Sequence, residues 1–295
     1  MIRYLGEEFS IRQICQVLGV SKSAYYAYVS GRSYQRSLNK QENANAVKRV
    51  FEQHKKRYGS RRITEQLREE GYSIGRYQVS SLMMAQDLVA KQPKRFVPKT
   101  TQSHPHLRRN ENLLLIPDHL PQAPNEVWVS DITYLPSIEH ELESWLYLCV
   151  WMDLFSRKII GWCVDEHMRE SLVIRALQQA VRNRQPEKVI IIHSDGGGQY
   201  ASNNFRALLK RNQFWQSMTR VDNHYDNAHM ESFFSRFKTE LEDEFPFLGL
   251  RDANLKIFDF IEAYYNTIRK HSALGYKTPD QFEEPYWMDF WKGKF

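Results

Sequence analysis

Three acidic residues, Asp131, Asp195 and Glu231, have neighbours that suit them for chemistry at a shared site. Asp131 lies within a mostly apolar stretch that predicts a strand, where an unpaired carboxylate would be costly. Asp195 directly follows another apolar stretch and precedes three glycines, which let a backbone or a phosphate come close. Glu231 lies early in a predicted helix for which Asp226 is the expected N-cap. Acids on two strands and one helix can converge on one site.

Oxygen-only clusters of this kind suit Mg²⁺ or Mn²⁺, which keep several waters and accept phosphate oxygens as further ligands. Two such ions about 3.5–4 Å apart can activate an attacking oxygen and stabilise a leaving oxygen in an in-line displacement at phosphorus. That is the chemistry of cutting or joining DNA. Taken singly, the acids have simpler explanations, as a salt-bridge partner (Asp131), a turn residue (Asp195) and a helix-surface acid (Glu231).

The elements expected to position these acids form an α/β pattern. Segments rich in β-branched, aromatic or other apolar residues predict strands over residues 127–135, 145–154, 158–164 and 189–193. An apolar stripe at helical spacing predicts a helix over residues 170–183. We expect the first three strands to pair antiparallel and the fourth to return through a crossover.

The amino-terminal region predicts two pairs of short helices, each with the pattern of a helix-turn-helix. In the first pair, Gly19 separates a helix near residues 11–18 from a helix over 22–29, which Ser21 caps and Gly31 ends. In the second pair, Gly71 separates helices near residues 61–70 and 76–87. A short turn between two helices suits reading of the DNA major groove, although any small helical bundle has a similar pattern.

The net charge of +6 combines a basic half and an acidic half. Residues 1–110 hold 21 Lys and Arg against 8 Asp and Glu, whereas residues 111–295 hold 20 against 27. The basic half favours a phosphate-binding surface, because each neutralised phosphate releases counterions. The cations proposed as DNA contacts in this half include Arg61, Arg62 and Arg76.

Six of the eleven prolines fall between residues 91 and 124, which predicts a linker. Its cations, among them Lys94 and Arg95, can follow a phosphate backbone, and the alternative is a plain solvated spacer. The predicted organisation is therefore a helix-turn-helix (1–35), a second helix-turn-helix region (36–90), the linker (91–124) and a catalytic core with a carboxyl-terminal helical extension (125–295).

Composition excludes several classes of protein. A hydrophobic share of 42% is too high for a wholly disordered chain. Three cysteines without paired spacing argue against a disulfide framework or a cysteine-ligated zinc site. The longest apolar run, residues 145–152, is too short to cross a bilayer, so we expect a cytoplasmic protein without a membrane partner.

The order of the acids and the motifs around them resemble the D,D,E core of bacterial insertion-sequence transposases (OrfB-type), which are related to retroviral integrases. Thirty-five residues separate Asp195 from Glu231. The matching motifs span nearly the whole chain: Arg57-Tyr58-Gly59-x-Arg61-Arg62-Ile63, Trp128-Val129-x-Asp131-Ile132-Thr133-Tyr134, Asp153-Leu154-Phe155-Ser156-Arg157, His193-Ser194-Asp195-x-Gly197-x-Gln199-Tyr200, Asp226-Asn227-Ala228-x-x-Glu231-Ser232-Phe233-Phe234 and Tyr265-Asn266-x-x-Arg269-x-His271.

The resemblance implies an α/β ribonuclease-H-like integrase core preceded by small all-α domains. It implies that Asp131, Asp195 and Glu231 bind Mg²⁺ or Mn²⁺, as two ions. The implied reaction hydrolyses a donor strand to free a 3′-hydroxyl, which then attacks another phosphodiester. The implied partners are double-stranded DNA at the element ends and the target, and further copies of the chain on DNA. An upstream-frame transposase protein is a candidate partner, because the catalytic frame in this group is often joined to one by frameshifting.

Three residues near Glu231 are predicted DNA contacts. Asn227 and Lys238 lie four residues before and seven after Glu231, so a helix would place all three on one face. We expect Lys238, with Arg236 nearby, to hold the DNA end. The family usually has Gly-Asn before this helix, whereas this chain has Asp222-Asn223, either a silent surface substitution or an added carboxylate near the site.

Other motif residues leave their roles open. His193, Tyr200, Arg269 and His271 either support the site, contact DNA or pack elsewhere, and Asp153 is expected to be structural.

Three alternatives compete with a transposase. Arg269, His271 and Tyr276 lie together as in a tyrosine recombinase, but a second arginine motif is missing upstream. A metal-dependent nuclease of the same fold would carry the same acids. A non-enzymatic DNA-binding regulator would be expected to have lost at least one of them.

Overall fold

The computed structural model describes residues 9–93, 110–139, 141–220 and 224–292. The chain divides into two units, Met1–Lys91 and Gln92–Phe295. The described part of the first unit is helical, and the second combines a mixed sheet with helices. Each unit therefore has its own class of architecture, as the change of periodicity along the sequence indicates.

The first unit, where it is described, contains five helices: α1 (Ile11–Val17), α2 (Lys22–Val29), α3 (Arg32–Gln53), α4 (Ser60–Glu69) and α5 (Arg76–Ala85). The predicted cap of α2 is confirmed, because the Ala24 N–H donates to Ser21 Oγ over 3.1 Å. The break predicted at Gly71 is confirmed as well, with φ of +89° in the left-handed region that glycine adopts readily.

Helix α3 was not predicted, and it changes the expected organisation. The expected boundary between residues 35 and 36 falls inside α3, and Gly31 stands immediately before it in the left-handed region, with φ of +73°. The sequence of α3 is mostly polar, and where its side chains are described the buried apolar residues form one stripe: Ala46, Val47, Val50 and Phe51. A narrow apolar stripe late in a long polar helix gives little periodic signal.

Helices α4 and α5 bury apolar residues that recur at helical spacing. Ile63 and Leu67 of α4 and Val79, Leu82 and Met83 of α5 are all buried. The two helices end at Glu69 and Ala85, one and two residues before the expected ends. This pair has the helix-turn-helix arrangement inferred from the sequence pattern.

The second unit contains a five-stranded sheet in the order β3-β2-β1-β4-β5. Pairing is antiparallel between β1 and β2 and between β2 and β3, and parallel between β1 and β4 and between β4 and β5. The predicted topology of the first four strands is confirmed, whereas β5 was not predicted. The strands are β1 (Val127–Glu139), β2 (Leu142–Asp153), β3 (Ile159–Asp165), β4 (Ile191–Ser194) and β5 (Trp215–Met218).

The crossover helix α6 (Glu170–Arg184) covers one face of this sheet. Every residue of its predicted apolar stripe is buried: Leu172, Val173, Ala176, Leu177 and Ala180. Gly161 of β3 lets α6 approach closely, since a Cβ atom there would lie 2.4 Å from the Ala176 carbonyl oxygen. The crossover therefore depends on both the stripe and this glycine. Two short helices not predicted from the sequence, α7 (Gly198–Ala201) and α8 (Asn203–Arg211), follow β4.

Residues 110–124, the second described part of the predicted linker after residues 91–93, pack against β5. The Leu113 N–H donates to Ser217 Oγ over 2.9 Å, and the Met218 N–H donates to the Glu111 carbonyl over 3.2 Å. Short 3-10 turns at Leu113–Leu115 and Pro117–His119 follow. This segment therefore belongs to the second unit and is not a free spacer.

The remaining helices follow β5: α9 (Ala228–Glu240), α10 (Gly249–Phe258), which continues into a π-helical turn (Asp259–Tyr265), and α11 (Pro279–Lys292). A buried ion network fastens α11 to the sheet. Arg184 Nη1 lies 2.6 Å from Glu283 Oε2, and Arg184 Nη2 lies 3.3 Å from Asp153 Oδ2. Asp153 therefore has the structural role expected of it. Within the described residues, no helix is long and apolar enough to cross a membrane.

Candidate active site

Asp131 and Asp195 flank the point where β1 and β4 part. The last parallel pair between these strands joins Val129 to His193. Asp131 and Asp195 each lie two residues beyond that pair, at the corresponding position on their own strands. The ends of the two strands therefore open a cleft with an acid on each side.

The charges of Asp195 and Glu231 both act on Asp131. Burial is the largest cause that raises the pKa of the Asp131 carboxyl, the charges of Asp195 and Glu231 add to it, and the resulting value is about 8. Two opposing effects lower this pKa, an N–H from Ile132 that donates to Asp131 Oδ1 over 2.7 Å and the charge of Lys238. The acids predicted from sequence thus share one electrostatic environment.

The donor chemistry of this cluster fits a hard divalent cation. Burial and the neighbouring carboxylates together favour the protonated form of Asp131, and a bound cation would compensate for the charge of the ionised form. Among the residues that the structure describes, no three His, Cys, Asp or Glu side chains are placed to bind a single ion together. Glu231 is exposed, whereas Asp131 and Asp195 are half-buried, so Glu231 is the acid with the most room to turn.

Ser130 connects the three elements that carry the acids. It directly precedes Asp131 and is fully buried. Its Oγ lies 2.8 Å from the hydroxyl of Tyr200, which stands in α7 five residues after Asp195. Its carbonyl accepts a hydrogen bond of 3.1 Å from the Asn227 Nδ2 group, four residues before Glu231. One residue of β1 therefore ties together the segments that hold all three acids.

His193 also joins the sheet to the segment before α9. Its Nδ1 lies 2.8 Å from Ser217 Oγ and its Nε2 lies 3.2 Å from the Asp226 carbonyl oxygen. Burial lowers its pKa to about 4, so the ring is neutral at pH 7, with Nε2 donating to the carbonyl and Nδ1 accepting from the hydroxyl. His193 and Tyr200 are therefore internal supports of the site.

The prediction that Asp226 caps the helix of Glu231 is wrong. Asn227 stands at the N-cap, and no side chain makes a capping hydrogen bond there. Asp226 instead accepts hydrogen bonds from the backbone N–H and the guanidinium of Arg220, which hold its pKa at about 2. The carboxylate that the sequence pattern predicted as the cap therefore binds Arg220, which precedes the helix.

The helix α9 presents its predicted DNA-binding residues differently. Asn227 is only 6% exposed and bonds to Ser130, so it faces inward rather than sharing a face with exposed Glu231. Arg236 is exposed. Lys238 is half-buried, its Nζ lies 5.3 Å from the ring centroid of Tyr134, and burial lowers its pKa against the charge of Asp131.

The basic residues predicted to bind DNA in the first unit also differ in exposure. Arg61 and Arg76 are exposed on α4 and α5. Arg62 is half-buried, with its guanidinium over the ring of Tyr58 and a bond of 3.4 Å from Nη1 to the Arg57 carbonyl. Lys94, Arg95 and Asp222 lie outside the described residues.

The Arg-His motif near the carboxyl terminus has a structural role. The Arg269 guanidinium is buried and donates to both carboxylate oxygens of Glu240, the last residue of α9, and its Nη1 lies 3.2 Å from His271 Nε2. A guanidinium bound in this way cannot hold a phosphate, which removes the basis for a tyrosine recombinase.

Sequence reasoning missed Ser130 and the aromatic pair Tyr134 and Trp145. A small polar residue beside an acid in an apolar strand was a signal for Ser130. Trp145 is 56% exposed at the start of β2, a position that only the register of the hairpin reveals.

Family models match both units. A model described as integrase core domain matches residues 121–224, a second of the same description matches 212–279, and an HTH-like domain matches 38–96. The chain is 38% identical over 278 residues to the transposase InsF for insertion sequence IS3A of Escherichia coli, covering 94% of each chain. It is 39% identical over 243 residues to the transposase for insertion sequence element IS904 of Lactococcus lactis, covering 81% of this chain and 92% of that one. A solved chain of the simian T-cell lymphotropic virus intasome aligns over 77% of this chain and 70% of its own length, with 18% identity and a TM-score of 0.46.

Proposed function

Because this chain belongs to the insertion-sequence transposases with an integrase core, we propose that it cuts the ends of its element and joins the freed 3′-hydroxyl to another phosphodiester. Its second unit has the integrase-type, ribonuclease-H-like α/β fold of that family. The observation that carries this reaction is the placement of Asp131 and Asp195 beyond the parting of β1 and β4, with Glu231 close enough to act on Asp131.

We propose that Asp131, Asp195 and Glu231 hold the divalent cations, Mg²⁺ or Mn²⁺, and that two ions bind. Their all-oxygen donors and their mutual repulsion support this assignment. When bound, such ions supply activation of an attacking oxygen and stabilisation of a leaving oxygen.

The chain's own cations position the DNA end. Lys238 lies beside the acids, is affected by the charge of Asp131, and is the residue we assign to a phosphate near the scissile bond. Arg236 is exposed two residues earlier on α9 and is assigned to the flanking backbone. Asn227 is assigned to holding α9 against β1, since its amide is buried against Ser130.

In this proposal the first unit binds the DNA. DNA binding by a transposase with an HTH-like domain accounts for the basic character of residues 1–110. We assign Arg61 and Arg76 to DNA contacts because both are exposed, each in the first turn of its helix, α4 and α5 respectively. Arg62, Lys94 and Arg95 are retained as proposed contacts along the same basic stretch. The element has two ends, so we further propose that copies of the chain assemble on DNA; an upstream-frame partner stays a prediction.

The test incubates the protein with Mg²⁺, labelled element ends and a target plasmid, and compares Asp195→Asn with the parent chain. We expect joined product from the parent chain and a loss of at least 100-fold for the variant, on the order of other losses of a charge-stabilising group. Asp118→Asn, at an exposed acid in a 3-10 turn, is the matched control and should join ends normally. Equal joining by Asp195→Asn would show that the assigned chemistry is wrong.

The same assay separates the two remaining candidates. A nuclease of this fold would release cut ends without joined product. A DNA-binding regulator would shift the labelled ends in a gel without cutting them, with or without Mg²⁺.

A further inference from the structure

An aromatic pair, exposed Trp145 and half-buried Tyr134, lies on the hairpin of β1 and β2, the strand β1 being the one that carries Asp131. Trp145 lies opposite Pro136 in the register, and its ring meets the ring of Tyr134 edge-on, with centroids 5.8 Å apart and planes at 85°. The face of Tyr134 is in turn close to Lys238 Nζ. Trp145 nevertheless leaves 56% of its surface to solvent. A large ring fixed by a neighbour but open on its outer side is suited to stacking.

This pair is within reach of DNA bound at the acids. Tyr134 and Pro136, the residue opposite Trp145, are three and five residues from Asp131 along β1, about 10 and 17 Å at the rise of a strand. Those distances correspond to roughly three to five base steps of a DNA strand. Lys238 lies between the two, because it is close to the Tyr134 ring and responds to the charge of Asp131. In this order the acids would face the scissile phosphate, Lys238 a neighbouring phosphate, and the rings a base.

We propose that Trp145, held by Tyr134, stacks on an unpaired base of the DNA strand bound at the acids, within a few nucleotides of the scissile phosphate. The site takes a nucleobase of any sequence, because every base presents a π face. The inference rests on the proposed function, since it requires DNA in the cleft. The adjacent cation favours a nucleic acid over an apolar protein partner, for which Lys238 would be a poor neighbour.

The experiment measures the affinity of the full chain for element ends in which single bases near the cleavage position are replaced, one at a time, by abasic sites. The parent chain should lose binding at one position by roughly five- to 100-fold, the range given by loss of one base stack. Trp145→Ala should lose a similar factor on intact DNA and should be insensitive to the abasic site at that position. Trp145→Phe should restore most of the affinity.

Trp215→Ala is the matched control, because Trp215 is 55% exposed on β5 at the other side of the sheet. It should bind intact DNA normally and keep the sensitivity to the abasic site. The proposal would be overturned if the losses of affinity caused by Trp145→Ala and by an abasic site multiplied at every position. It would also be overturned if Trp145→Ala reduced only the self-association of the chain. Joining of DNA ends by the parent chain is measured in parallel. If the parent chain joins no ends, the proposed function is wrong. If it joins ends and the two losses of affinity multiply at every position, only the stacking site is rejected.

Discussion

At the scale of single residues, the site is organised by a neighbour of the acids as much as by the acids themselves. Ser130 bonds through its side chain to Tyr200 and through its carbonyl to Asn227. These contacts reach from β1 to the segments that follow Asp195 and precede Glu231. The three acids could be proposed because their residue types and motifs are visible in the sequence. Ser130 was missed because its position beside an acid does not reveal its two contacts, which cross long stretches of chain.

Tyr200→Phe should reduce joining more than it reduces binding of DNA ends. The change removes the hydroxyl that bonds to Ser130 Oγ and costs about 1 kcal/mol of stability, more if Ser130 is left unsatisfied. Because the tie between the Asp131 and Asp195 segments is weakened, the Mg²⁺ concentration for half-maximal joining should rise. Tyr147→Phe, at a half-buried tyrosine of β2, should change neither. A fall in stability with an unaltered Mg²⁺ requirement would contradict a positioning role for Tyr200.

Asp226→Asn should destabilise the protein in a way that depends on pH. Hydrogen bonds from Arg220 lower the folded-state pKa of Asp226 to about 2, below about 3.9 for an unfolded chain. The stabilisation is therefore complete above pH of about 4 and is lost as the pH falls toward about 2. Thermal unfolding should show a small, salt-sensitive difference between parent and variant at pH 7 that closes over this interval. A difference that persists unchanged to the lowest pH would rule out the ion pair as its source.

At the scale of elements, the strands and helices that could be predicted from the sequence are those specified by a hydrophobic pattern. The apolar runs of β1 to β4 and the stripe of α6 are long enough to specify an element and its buried face. Strand β5 was missed because its four residues, Trp-Gln-Ser-Met, contain no apolar run like the one that precedes Asp195, and its place depends on parallel pairing with β4. The cap at Asp226 was predicted wrongly because residue type and spacing do not show which donor the carboxylate binds. In the structure that donor is Arg220 and not a helix N–H.

Glu283→Gln should destabilise the second unit by about 3 kcal/mol, because it leaves the charge of buried Arg184 with only part of its compensation. The loss is measured by chemical unfolding. Glu284→Gln, at the exposed neighbour on α11, is the control and should stay within about 0.5 kcal/mol of the parent. Equal stability of both variants would show that the network between α6, β2 and α11 does not hold the carboxyl-terminal helix.

At the scale of the whole molecule, charge and architecture divide at nearly the same place. The basic excess lies in residues 1–110, and the first unit ends at Lys91. The acidic remainder includes the acids of the site. Net charge alone favoured a nucleic acid only weakly, and the placement of three carboxylates made the interpretation specific.

Deleting residues 1–90 should weaken binding of element ends and lower its dependence on salt. For every phosphate that the shortened chain no longer neutralises, the slope of log K against log salt should fall in magnitude by about 0.9. The second unit should keep its cooperative thermal unfolding, since the fold of residues 92–295 forms its own compact unit. Unchanged affinity at every salt concentration would contradict the division of labour between the units.

The ion pairs of Arg184 with Asp153 and Glu283 also have a consequence for shortened chains. Glu283 lies 12 residues from the carboxyl terminus, so a polypeptide released before that point has every acid of the site but lacks the carboxylate that completes the buried network. Such a product would carry a poorly compensated guanidinium in its interior, unfold readily and be exposed to proteolysis. We therefore expect chains that lack Glu283 to be removed by proteolysis before they can occupy element ends.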